Sequence, residues 1–237
     1  MGRTFAGLPG RIAFLAGLAA LCLHAFAWGH GVAEGDKSFV EGSEGMQLIG
    51  FAYLGAKHMV TGYDHLLFLF GVIFFLYRMK DVALYVTLFA VGHSLTLLYG
   101  VLAGTQMNAH LIDALIGLSV VYKALDNLDA FQRWFGSSPD ARAAVAFFGL
   151  AHGFGLATKL QEFKLAQDGL VANILAFNVG VELGQLFALA LMLIVIAHLR
   201  RSPAFLRNAY LANAALMTAG FVLTGYQLAG YFFTEQG

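Results

Sequence analysis

The chain reads as an all-α, polytopic membrane protein: six transmembrane helices preceded by an N-terminal signal peptide. Three observations predict this. Of the 237 residues, 59% are hydrophobic and only 12% are charged, against about 45–50% apolar and about 25% charged in an ordinary soluble domain. Apolar runs of about 20 residues, enough to cross a hydrocarbon core of about 30 Å, recur down the sequence. Basic residues gather in every second loop between those runs, as they do when alternate loops face the cytoplasm. The composition excludes a soluble globular domain, a disordered chain and a coiled coil. Fourteen Lys and Arg against fourteen Asp and Glu leave no basic excess for phosphate backbones, so no nucleic-acid partner is expected. The expected surroundings are a lipid bilayer. The one cysteine, Cys22, excludes an internal disulfide framework and any Cys-rich metal site.

Arg3 and Arg11 precede an apolar run over 12–26 that ends in Ala25-Phe26-Ala27, the pattern of a secretory signal peptide covering 1–27. Residues 28–45 carry Glu34, Asp36, Glu41 and Glu44 against Lys37 alone. They read as an acidic segment outside the membrane. A six-helix transmembrane domain then fills 46–237, with spans expected at 47–77, 82–104, 109–127, 141–160, 171–199 and 207–232. As one helix the first span would be roughly 46 Å long at 1.5 Å per residue. It must tilt, project beyond the lipid or break, and Gly62 at its middle is the expected break.

Loop charges give the orientation. With a translocated N-terminus, the loops after spans one, three and five carry Arg78, Lys80, Lys123, Arg133, Arg142, Arg200, Arg201 and Arg207, and the opposite side carries Lys37, Lys57, Lys159 and Lys164. This asymmetry predicts both mature termini extracytoplasmic, and the expected location is a bacterial inner membrane. No internal repeat of the kind that builds inverted-repeat transporters stands out. No P-loop is present, so an ATP-driven reaction is not expected.

The informative residues are polar ones inside apolar runs. An Asp at mid-membrane costs about 2.5–3.5 kcal/mol on insertion scales, so such groups normally face a protein interior and mark function. Span one holds His58, Asp64 and His65; span two holds His93 and Ser94; span three holds Asp113; span four holds His152; and span five holds Asn178, Glu182 and Gln185. Counted from the span ends, His93, His152 and Glu182 each fall roughly 16–18 Å deep. Four spans thus place imidazoles and carboxylates in one slab, which points to a metal or proton site. His58, Asp64, His65, His93, His152 and Glu182 are the expected metal ligands, with Ser94, Asp113, Asn178 and Gln185 lining the path or holding the ligands. On a straight helix His58 and His65 would stand about 10 Å apart, too far to share an ion. A break at Gly62 could bring them together, and Asp64 could hold a ring N–H of a liganding His. Imidazole and carboxylate without thiolate suit Ni²⁺, Co²⁺, Zn²⁺, Fe or Cu²⁺ better than Cu⁺. His110 and His198 sit at span boundaries and read as interfacial residues. Gly149 with Gly153 and Gly180 with Gly184 have the small-xxx-small spacing that lets membrane helices pack closely. If the signal peptide is cut after Ala27, the mature chain starts Trp28-Gly29-His30, and His30 completes a square-planar nitrogen set suited to Cu²⁺ or Ni²⁺.

At these residues the chain resembles the HupE/UreJ family of membrane proteins, regarded as nickel and cobalt permeases. The family's His-x5-Asp-His motif is matched by His58, Asp64 and His65. Its second motif, Phe-His-Gly-x-(Ala/Val)-His-Gly-x-Glu, is met by Phe147-Phe148-Gly149-Leu150-Ala151-His152-Gly153-Phe154-Gly155. His152 and both internal glycines match, whereas Phe148 replaces the first His and Gly155 the final Glu. The resemblance implies six spans and a nickel permease, and His93 and Glu182 are expected to take the two missing roles. Two other functions fit the same residues. One is an intramembrane metallo-hydrolase holding Zn²⁺ on His58, His65, His93 and Asp64 beside Ser94. The other is a metal sensor or a delivery partner of a metalloenzyme or metallochaperone, docking through 28–45.

Overall fold

The computed structural model describes residues 34–162 and 168–234. The signal peptide expected over 1–27, with Cys22, and also His30 and Lys164 lie outside the described residues. Every regular element among the described residues is helical. In chain order these are α1 (Glu34–Gly42), α2 (Leu48–Thr61), α3 (Tyr63–Ile73), α4 (Met79–Ala103), α5 (Ala109–Asn127), α6 (Ala130–Phe135), α7 (Ala141–Gln161), α8 (Leu170–Arg200) and α9 (Ala204–Thr234). Of these, α4, α7 and α8 are each long and apolar enough to cross a membrane, and α3 is a shorter apolar helix.

The long apolar run after residue 46 breaks at Gly62, where the sequence places it. Gly62 has extended backbone angles and its N–H still bonds His58 O at 2.8 Å, while Leu66 N–H reaches back to Gly62 O at 3.1 Å. One residue thus ends α2 and starts α3. The acidic segment is more ordered than a charged tail requires. From Glu34 onward it forms α1, which buries Val40, packs Phe39 against Phe51 at 6.0 Å and ties Asp36 to Lys57 at 2.7 Å. The short helix α6 has no counterpart in the sequence reading; six residues are too few to show a period.

Helix ends are closed locally. The Asn108 side chain accepts from Leu111 N–H at the start of α5, and Asp140 accepts from Arg142 and Ala143 N–H at the start of α7. Those backbone bonds, Ala143 first and then Arg142, hold the Asp140 carboxyl below its ordinary range. α4 ends on Gly104 in the left-handed region at φ 64°, where a residue with a side chain would be strained.

Three helix pairs form the body: α2 with α8, α4 with α7, and α5 with α9. Glycines explain all three seams. A Cβ on Gly180 would stand 1.9 Å from Ala52 O, one on Gly55 2.0 Å from Phe177 O, one on Gly149 2.5 Å from Phe89 O and one on Gly117 2.6 Å from Thr224 Oγ1. Backbones this close gain dispersion contacts that side chains would forbid, the main attraction available to helices in lipid. The glycine pattern read from 149, 153, 180 and 184 therefore has its expected consequence.

The half-helix α3 packs against members of all three pairs and buries Asp64, His65, Phe68, Leu69, Gly71, Val72 and Ile73. Its last carbonyls, orphaned at any helix end, are met by side chains from elsewhere. Arg200 donates to Ile73 O and Phe74 O at 2.8 Å, and Asn127 donates to Gly71 O at 2.9 Å.

Substituting Gly180 by Ala should force α2 and α8 apart at a cost of about 1–3 kcal/mol, the range of overpacking. Gly225, with nothing within 4 Å of its would-be Cβ, is the control. The thermal midpoint of the purified protein should fall for Gly180→Ala and hold or rise for Gly225→Ala; equal midpoints would refute the seam.

Candidate metal centre

His65 is the third residue of α3, held at the middle of the bundle by the break before it. Its ring centroid lies 5.2 Å from that of His58 on α2, 5.9 Å from His93 on α4 and 4.8 Å from His152 on α7. Three imidazoles, from α2, α4 and α7, thus meet on a fourth, that of His65 on α3. His65, His93 and His152 are 3%, 1% and 1% exposed.

Each ring is positioned by its neighbours. Asp64, in the first turn of α3, accepts through Oδ1 from His65 N–H at 2.9 Å and from the His65 ring at Nδ1, 3.0 Å away. The carboxylate also offsets the positive end of the α3 dipole. His152 Nδ1 donates to Phe148 O at 2.7 Å. In the neutral imidazole a proton on Nδ1 leaves Nε2 with its lone pair. Both His65 and His152 are therefore held in the tautomer that offers Nε2 to an ion, the arrangement common behind liganding histidines. Phe89 packs on three of the rings, 4.9 Å from His152, 6.2 Å from His93 and 6.3 Å from His65, and Phe68 lies 5.6 Å from His152. The close seam of α4 and α7 brings His93 in: a Cβ on Gly153 would stand 2.2 Å from His93 O.

The Nε2 atoms of His65 and His152 and both ring nitrogens of His93 are buried without a hydrogen-bond partner among the described residues. A buried polar atom left so costs about 1–3 kcal/mol, which makes these nitrogens candidates for an ion. Two imidazoles sharing one ion at metal–nitrogen distances of about 2.0–2.1 Å have centroids roughly 5–6 Å apart. The pairs of His65 with His58 and with His93 fall in that range, and the pair with His152 lies just below it at 4.8 Å. Among the described residues, however, no group of three or more His, Cys, Asp or Glu side chains is arranged to hold an ion at once. The arrangement offers imidazole pairs that share His65.

The other expected residues divide. Glu182 does not join the cluster: it is exposed on α8, two residues from both Gly180 and Gly184 and so on the face turned away from α2. A count of residues along the helix does not give the direction around it. Ser94 is half-buried, and the hydroxyl that matters in that stretch is Thr96, which donates to Leu150 O at 2.7 Å and ties α4 to α7. Asn178 is buried with Oδ1 unpaired among the described residues. Gln185 is buried and donates to Val86 O at 3.4 Å. Asp113 is buried in an ion pair with Lys159 at 2.8 Å and accepts from Gln227 at 3.2 Å. Phe68 and Phe89, which the sequence reading missed, stand three residues after His65 and four before His93, on the same helical faces.

The sequence profile of a family described as HupE / UreJ protein matches residues 34–235. No curated protein and no solved structure gives a match.

Asp64→Asn keeps the shape of the site and removes the carboxylate behind His65. Ni²⁺ affinity, followed by titration calorimetry on the purified protein, should fall about 10–100-fold, the usual effect of losing such a partner. Unchanged affinity would show that Asp64 serves only the helix start.

Proposed function

The chain belongs to the HupE/UreJ family, and on that footing we propose that it is a permease for a divalent transition metal, Ni²⁺ first, with Co²⁺, Zn²⁺ and Cu²⁺ to be tested beside it. The observation that carries this reading is the convergence of His58, His93 and His152 on His65. Nitrogen donors without thiolate suit these ions. A permeating ion must bind well enough to enter and weakly enough to leave, and imidazole pairs around one shared ring meet that requirement. The ion would pass from pair to pair, with His65 common to each step and Asp64 holding its ring in register.

In this reading α2 with α3 forms the first crossing, and α4, α5, α7, α8 and α9 form the other five. The seams support alternating directions. Gly180 faces Ala52 and Gly184 faces Ala56, so α2 and α8 run parallel, as a first and fifth crossing must. Gly92 faces Leu150 and Gly100 faces Ala157, which makes α4 and α7 parallel, as a second and fourth. Gly117 faces Gly220 while Gly230 faces His110, so α5 and α9 are antiparallel, as a third and sixth. With the loop-charge asymmetry, the open ends of α2 and α8 face outward and α1 lies on the outer side of an inner membrane. A metalloenzyme or metallochaperone on the receiving side would take the ion.

Entry of Ni²⁺, Co²⁺, Zn²⁺ and Cu²⁺ into proteoliposomes, wild type beside His65→Ala, tests this. Selective entry lost in His65→Ala is the expected result. Retention of stoichiometric metal with no entry would overturn the permease reading in favour of a hydrolase or a delivery protein.

A further inference from the structure

One face of α7 carries Phe148, His152, Gly155 and Lys159, spaced by four, three and four residues and so aligned along the helix. The gap at Gly155 is used by the neighbouring helix. A Cβ there would lie 2.9 Å from Ile112 Cγ2 and 3.8 Å from Asp113 Oδ1, so the Asp113 carboxylate of α5 stands over the α7 face about one turn beyond His152. Lys159, one further turn on, closes over it: Nζ is 2.9 Å from Oδ1 and 2.8 Å from Oδ2.

The two partners are held very differently. Asp113 is fixed from the α9 side as well, where Gln227 donates to Oδ2 at 3.2 Å and is itself held through its Oε1 by His110 Nδ1 at 2.8 Å. The Asp113 side chain is 7% exposed, that of Lys159 18%. Lys159 reaches the carboxylate only by its own four-carbon stem, from the last turn of α7. A buried ion pair adds little stability over apolar side chains of similar size, and ionisable groups at membrane depth ordinarily mark a route.

We propose that Lys159 is a tethered counter-cation: its ammonium occupies a carboxylate station, Asp113, one turn outward of the imidazole cluster, and the incoming divalent ion displaces it. This rests on the permease reading. The ion exchanges one positive charge on Asp113 for two, Lys159 swings toward the outer end of α7, and the ammonium returns once the ion has moved on to His152. The resting pair keeps a bare carboxylate from facing the apolar interior between ions.

Removing a competitor that holds the site nine-tenths of the time tightens apparent binding about tenfold. Lys159→Met should therefore lower the half-saturating Ni²⁺ concentration for proteoliposome entry by about that factor, whereas Asp113→Asn should raise it. A merely structural pair predicts shifts of the same sign in both, since each breaks the same contact. Lys159→Gln, which retains an N–H donor for the carboxylate, should fall between wild type and Lys159→Met and carries the comparison if Lys159→Met does not fold. Same-sign shifts, or none, with normal wild-type entry overturn this proposal alone. A wild type that passes no ion overturns the permease reading and this proposal with it.

Discussion

The break at Gly62 is the constraint on which the centre of this molecule depends. A continuous helix would carry His58 and His65 two turns apart on one face. Ending the first segment at Thr61 and restarting at Tyr63 brings their rings to 5.2 Å. It also buries a helix start in the protein interior, with N–H groups that need acceptors. Asp64 answers that need and in the same contact orients His65. The far end of α3 poses the opposite problem, carbonyls without donors, and Arg200 and Asn127 meet it. A half-helix placed among the three pairs is thus anchored by polar contacts at both ends and by apolar packing between.

The glycine seams make the rest of the cluster reachable. His93 and His152 sit on helices whose backbones touch through Gly92, Gly149 and Gly153. Any larger residue along that line would widen the seam and move one ring away from His65. Some buried polar atoms are matched, Thr96 on Leu150 O, Asn173 on Gln47 N and Gly45 O, and Asn127 on Asn213, whereas Tyr122 Oη, Asn178 Oδ1, Gln185 Oε1 and Arg200 Nε have no partner among the described residues. The unpaired nitrogens of His65, His93 and His152 differ from these in meeting around one ring.

Much of this is legible in the sequence because it is local. The helix limits, the break at Gly62 and the small-residue spacing all follow from short patterns, and the four histidines could be grouped by depth. What escapes is direction around a helix and pairing between distant segments. Glu182, grouped with the histidines by its count along the span, is exposed on its helix and does not join them. Lys159 reads as a charge near the outer end of a span; only the fold shows that it lies over Asp113, 46 residues earlier. The α7 stripe that joins them is visible in the spacing of 148, 152, 155 and 159, but nothing in the sequence says which helix fills the gap at Gly155.

The central claim is that imidazole nitrogens around His65 bind the ion. X-ray absorption of the Ni²⁺-loaded protein tests it most directly, wild type beside His65→Ala and His152→Ala. The account predicts nitrogen neighbours at about 2.0–2.1 Å, the range imidazole takes on zinc, with imidazole scattering that weakens in both variants. A shell of oxygens alone, or an imidazole signal unchanged by either substitution, would contradict it.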